Sequence, residues 1–263
     1  MRKFFDSSPS LLNPVDLVSA FTGKTAEELV LPERVIIVFD SGDLKRILNK
    51  KKHRLIDAWL NFRWLYRIEE SNTIITRSYF GGPNIAALVE ELAAFGVKEF
   101  VIWGYAGGID SQLKIGDVIV AKGALREDGV SYHYIDDAET DPFGKGGMEG
   151  LSGSDFIYVD WFEEWERHTK EWGFREGIIW SCDAIYRETR EKARKYCEAG
   201  ISAVEMEVAS FYAVCTSKGV KGIALLIVSD LLNDEGWTGG FHTKQFQEGV
   251  RKLSKFVLEE VIK

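Results

Sequence analysis

The sequence predicts an α/β protein whose sheet is covered by helices on both faces. Three observations carry this reading. Continuously apolar runs of strand length recur along the chain, amphipathic stretches of helical length lie between them, and Gly or a polar residue closes most of the apolar runs. Strands that alternate with helices in this way build one sheet and bury it from both sides.

The elements follow in order. "RVIIVF" (Arg34 to Phe39) reads as a buried strand. "LNFRWLYRIE" (Leu60 to Glu69) alternates, with Leu60, Phe62, Trp64, Tyr66 and Ile68 on one face, as a half-buried strand does. "TIITRS" is a further strand. "PNIAALVEELAAFG" (Pro83 to Gly96) is a helix with Pro in its first turn and Gly at its end. "EFVIWG" and "GDVIVAKGA" are strands, and "VDWFEEWERHTKEW" is helical. "EGIIWS" and "ISAVE" are strands, "VASFYAVCTSKG" a helix, "GIALLIVSD" a strand, and the last twenty or so residues a helix. We expect a single domain over residues 1–263, with an N-terminal extension over 1–33 and a Gly-rich surface loop over 140–155.

Composition narrows the function. A chain of 263 residues with 45% hydrophobic and 28% charged residues is ordinary for a soluble globular protein. A net charge of −8, with one basic cluster at Lys45 to Arg54, argues against a nucleic-acid or membrane partner. Three cysteines without CxxC or His/Cys spacing argue against a disulfide framework or a metal site and fit a reducing cytoplasm. The N-terminus lacks the apolar core of a signal peptide, and no run reaches transmembrane length.

Chemistry concentrates where apolar strands end. In "FDSGDLKRIL", a strand gives way to Gly42 and a helix carrying Arg46; backbone N–H groups at such a turn hold anions, and Arg46 adds a bidentate donor. A plain strand-to-helix turn explains the same letters. In "VIWGYAGGIDSQLKIGDVIV", Gly104, Gly107 and Gly108 suggest a turn that brings backbone against a ligand at the carboxyl edge of the sheet. "WSCDAIY" offers Ile185 and Tyr186 to pack on a flat ring. In "ISAVEMEVAS", Glu205 and Glu207 flank Met206 between two buried elements; helix starts favour acids, but two at a strand end also suggest a ligand site. Asp230 ends "LLIVSD", as a helix cap or as a general acid over a cleft.

These five stretches, in this order, resemble the nucleoside phosphorylase and nucleosidase superfamily, over nearly the whole chain from about Arg34. The resemblance implies a three-layer α/β/α phosphorylase-like fold whose mixed, twisted sheet curls into a distorted barrel. It implies cleavage of the N-glycosidic bond of a ribonucleoside. Glu207 would bind the ribose hydroxyls with Met206 under the sugar, and Asp230 would meet N7 of a purine. Gly42, Arg46 and Tyr105 would lie at the phosphate position; Ile185, Tyr186 and Gly107 would line the base. Thr189 and Glu191 stand where uridine enzymes carry Gln and Arg, which favours a purine.

The chain departs from the family at the phosphate site. Ile102 stands where phosphorylases carry Arg, Tyr105 replaces a small hydroxyl residue, and Trp59 falls where a neighbouring subunit's Arg is expected, with Arg54, Arg63 or Arg67 as substitutes. The first expectation is phosphorolysis, with inorganic phosphate as co-substrate and ribose 1-phosphate as product. The alternative is hydrolysis of a nucleoside or nucleotide; a third is an inactive nucleoside-binding protein. No metal or organic cofactor is implied. The assembly implied is a homodimer or a hexamer of three dimers, with aromatics around Trp59 to Tyr66 at the contact.

Overall fold

The computed structural model describes residues 4–56, 59–136, 151–159 and 162–262. In chain order the elements are α1 (Pro14–Thr22), β1 (Arg34–Val38), α2 (Ser41–Leu48), β2 (His53–Leu55), β3 (Leu65–Ile68), β4 (Thr73–Arg77), α3 (Gly82–Ala94) and β5 (Glu99–Gly108). There follow β6 (Val118–Glu127), β7 (Phe156–Tyr158), α4 (Phe162–Glu171), β8 (Arg175–Cys182), α5 (Arg190–Glu198) and β9 (Ile201–Glu205). The chain closes with α6 (Val208–Lys218), β10 (Lys221–Asn233), β11 (Gly236–Gly239) and α7 (Lys244–Phe256). No helix among the described residues is long and apolar enough to cross a membrane.

The strands form one mixed sheet that closes on itself. β5 pairs in parallel with β10, β10 runs antiparallel to β6, β6 and β8 are parallel, β8 and β9 are parallel, and β9 returns antiparallel to β5. These five strands make a closed barrel, and β1, β4, β3 and β2 extend from β5 as an open wing. Right-handed strand twist allows such closure, and closure removes the exposed edges of the ring.

Side-chain alternation in β1 and β5 explains the three layers. Val35, Ile37, Phe100 and Ile102 pack towards α3 and α6, while Ile36, Val38, Val101 and Trp103 pack towards α2 and α7. Both faces of these strands are therefore dry, which is why they read as unbroken apolar runs.

Three expectations are corrected. The alternation from Leu60 to Glu69 is a strand only over Leu65–Ile68: Phe62 and Trp64 point into solvent, and Arg63 turns inward to an ion pair with the buried Glu91 at 2.8 Å. A buried charge pair outweighs the hydrophobic alternation there. The glycines at 104, 107 and 108 are not in a turn: β5 runs through all three, because β9 and β10 pair with its end. The aromatic contact proposed near Trp59 loses Trp59 itself, which is buried edge-on against Phe95 at 5.0 Å. Of the Gly-rich loop, residues 140–150 lie outside the described residues; Gly153–Asp155 form a single 3-10 turn capped by Ser152.

Candidate active site

The site gathers at the carboxyl ends of β1, β5, β8, β9 and β10. Its best-formed part is the junction of β9 and α6. Glu205, the last residue of β9, accepts hydrogen bonds from the backbone N–H groups of Glu207 (2.6 Å) and Val208 (2.9 Å) and from Ser181 Oγ (2.6 Å). Ser181 in turn accepts from Ala209 N–H at 2.8 Å. Glu205 is thus a buried cap that satisfies the first amides of α6, a role favoured at any helix start. Burial, and then the neighbouring Glu207, push its carboxyl well above the usual range.

Glu207 is left free of that duty. Its side chain reaches α3, where Gly81 N–H donates to Oε1 at 2.5 Å. Gly81 has φ 96°, a left-handed conformation that costs a side-chain-bearing residue energy, and it lets the first turn of α3 present this N–H. Burial raises the Glu207 carboxyl to about 7, against the Gly81 hydrogen bond, which lowers it. Met206 beside it is half-buried.

Asp230 is aimed by a β-bulge. Along β5 and β10 the pairing runs Val228 with Ala106 and then Asp230 with Gly107, so Ser229 is the extra residue. Bulges of this kind re-aim side chains beside sites. Ser229 Oγ donates to Asp230 Oδ1 at 2.6 Å, and Trp237 Nε1 on β11 donates to Oδ2 at 2.8 Å. Gly107 lies beneath: a Cβ there would sit 3.1 Å from Asp230 Oδ2 and 2.3 Å from Leu232 Cδ1. The bare backbone of β5 therefore lets Asp230 stand between β5 and β11.

The turn at Gly42 differs from its sequence reading. The Asp40 carboxylate, at the N-cap of α2, already accepts from Gly42 N–H (2.7 Å) and Asp43 N–H (3.2 Å). Tyr105, half-buried, donates its hydroxyl to the buried Asp43 at 2.5 Å. Burial raises the Asp43 carboxyl to about 6, against the Tyr105 hydrogen bond, and raises the Tyr105 phenol as well. Arg46 lies 3.9 Å from Asp43, and its Nε has no hydrogen-bond partner among the described residues. Ile102 is fully buried, and Arg63 is held by Glu91.

Ile185 and Tyr186 are not brought into a closed slot. They stand on a short 3-10 turn between β8 and α5, with Tyr186 95% exposed. The same turn delivers Glu188, a half-buried carboxyl raised to about 7 by burial and then by Asp230. Sequence reasoning passed over Asp40, Gly81, Glu188 and Trp237. Asp40 had a visible signal as an acid two residues before Gly42; Gly81 and Glu188 act through contacts distant in the chain, and Trp237 through the β10–β11 hairpin.

Residues 33–263 match the model of the Phosphorylase superfamily. The chain belongs to that superfamily. It is 26% identical over 197 residues to a guanosine phosphorylase of Halorubrum lacusprofundi, covering 74% of this chain and 72% of that protein. It is 28% identical over 178 residues to a purine nucleoside phosphorylase DeoD-type of Exiguobacterium sp., covering 65% and 68%. Among solved structures, a purine nucleoside phosphorylase from Toxoplasma gondii in complex with immucillin-H shares the fold, with a TM-score of 0.71 at 21% identity, covering 92% of this chain and 94% of that one. A uridine phosphorylase from Vibrio fischeri matches with a TM-score of 0.66 at 19% identity, covering 88% and 92%. The phosphorylase-like fold and the nucleoside phosphorylase type of enzyme expected from the sequence agree with these findings.

Proposed function

We propose that this superfamily member cleaves the N-glycosidic bond of a purine ribonucleoside and passes the ribosyl group to water. The observation that carries the choice of water is the closed turn at α2, where the Asp40 carboxylate occupies the amides of Gly42 and Asp43. Tyr105, Ile102 and Arg63, each unable to meet a dianion as placed, support the same choice.

In this reading Glu207, as carboxylate, takes the ribose 2′- and 3′-hydroxyls, with Met206 under the sugar. As the C1′–N9 bond breaks, its electron pair leaves with the purine and positive charge grows on the ribose ring. A buried carboxylate on the hydroxyls stabilises that charge more than it does the ground state. Asp230, held by Ser229 and Trp237, passes a proton taken up from solvent to N7 of the leaving base. Water forms the new bond to C1′; its proton goes to the Tyr105 hydroxyl as the hydroxyl's own proton passes to Asp43, whose raised carboxyl suits a base near neutral pH. The products are free base and free ribose, and proton exchange with solvent restores Asp43 and Asp230.

Phosphorolysis is the second reading. It is favoured by the unpaired Nε of Arg46 and by the phosphorylase names of the relatives. The purine reading rests on Asp230 and on the purine names among those relatives. Exposed Phe62, Trp64, Tyr79 and Phe80 support a homodimer, or three dimers in a ring, which the mass in solution tests directly.

The decisive variant is Asp230→Asn. Turnover should fall by about 100-fold or more while nucleoside binding changes only a few-fold. Equal losses in both would assign Asp230 to structure instead.

A further inference from the structure

We infer that Asp40 is the acceptor-selecting residue: its side chain is a built-in anion that holds the α2 turn closed to phosphate and leaves the ribosyl group to water. The inference rests on the glycosidic cleavage proposed above and assigns the selection to one carboxylate.

The geometry is specific. Asp40 is extended (φ −93°, ψ 136°) at the end of β1, and its Oδ1 turns back onto the two amides that open α2. An anion bound to this turn would need those same N–H groups. Gly42 leaves room for this rotamer, since a Cβ there would lie 2.7 Å from Asp40 Oδ1 and make the carboxylate shift. Behind the turn stands a second carboxyl, Asp43, buried and tied to the Tyr105 hydroxyl. Tyr105 cannot offer that proton to a phosphate oxygen while it serves Asp43. Among the described residues, the cation that acts on Asp43 is the Arg46 guanidinium, at 3.9 Å. A phosphate dianion arriving here must displace one carboxylate and remain beside another, with Arg46 to compensate. Water carries no charge and meets neither obstacle.

The competing account is that Asp40 is only a helix cap, since Asp, Asn and Ser all cap well. The two accounts separate in Asp40→Asn and Asp40→Ser. Both variants remove the charge and leave on the amides only a neutral oxygen, which an incoming anion displaces more readily, so α2 should remain folded while the turn opens to phosphate. The balance at C1′ is the same for either acceptor: the bond to N9 breaks, and a bond forms to oxygen of water or of phosphate.

The experiment has two readouts on wild type and both variants. The first is binding of inorganic phosphate by calorimetry, which needs no turnover. The second is the sugar product from a purine ribonucleoside with phosphate present, resolved into ribose and ribose 1-phosphate. Wild type should bind phosphate weakly and yield ribose alone. Removing the charge should tighten phosphate binding by about tenfold or more. In the variants, phosphate should then either suppress ribose release or divert product to ribose 1-phosphate. Folded variants that bind phosphate no better than wild type would overturn the inference, as would a wild type that makes ribose 1-phosphate. If wild type released no base under any condition, the glycosidic reading would fail by itself, and the binding readout would still decide whether Asp40 excludes phosphate.

Discussion

Replacing Glu207 by Gln should make the protein more stable and nearly inactive, and both effects follow from one buried carboxyl. Glu207 is 7% exposed, and burial holds it at about 7 in the fold against an ordinary 4.5. A carboxyl that binds its proton more tightly when folded contributes stability that is fully present below the unfolded value and lost as pH rises through the folded one. The gap, at 1.36 kcal/mol per pH unit, amounts to ~3 kcal/mol that wild type forfeits well above pH 7. Glutamine has no charge to bury and fills the same space, while its side-chain oxygen can still accept from Gly81 N–H. Glu207→Gln should therefore gain up to ~3 kcal/mol over wild type at alkaline pH and nothing below the unfolded carboxyl's range. Urea unfolding at the two pH extremes reads this difference. The catalytic consequence has the opposite sign: losing the charge that faces the ribose should lower kcat/KM by about 100- to 1,000-fold. For the same reason wild-type kcat/KM should rise with pH through about 7 as Glu207 ionises. A stability difference that does not change with pH, or a kcat/KM within tenfold of wild type, would refute this reasoning.

Two further variants test other parts of the account. Arg63→Met strands the buried Glu91 carboxylate, now paired at 2.8 Å, and should cost ~3–5 kcal/mol in urea unfolding, whereas Arg63→Met with Glu91→Leu should recover most of it. Trp237→Phe removes the indole N–H that holds Asp230 Oδ2; kcat should fall by about 10- to 100-fold with KM little changed, measured by steady-state base release.

The sequence exposed those parts of the fold in which local pattern and tertiary burial agree. The apolar runs of β1, β5, β8 and β10 were readable because both of their faces are covered. Glu207 and Asp230 were conspicuous as acids directly after such runs. The glycines of β5 misled, because glycine signals a turn locally while pairing with β9 and β10 keeps the chain extended. Phe62 and Trp64 misled in the opposite direction: they alternate as a strand should, yet the pairing of Arg63 with Glu91 decides which way that segment faces. The letters around Gly42 fit an anion cradle and a plain strand-to-helix turn equally, since no periodicity reveals that the acid two residues earlier folds back onto its amides. Trp237 lay beyond reach for another reason: only the antiparallel return of β11 along β10 brings it to Asp230.

The most direct test of the central claim is the product balance of the wild-type protein with purine ribonucleosides and uridine in phosphate-free buffer. The account predicts free purine base and free ribose in equal amounts, with uridine left intact and no gain when phosphate is added. Absence of base release from every purine nucleoside, or release that begins only with phosphate and yields ribose 1-phosphate, would contradict it.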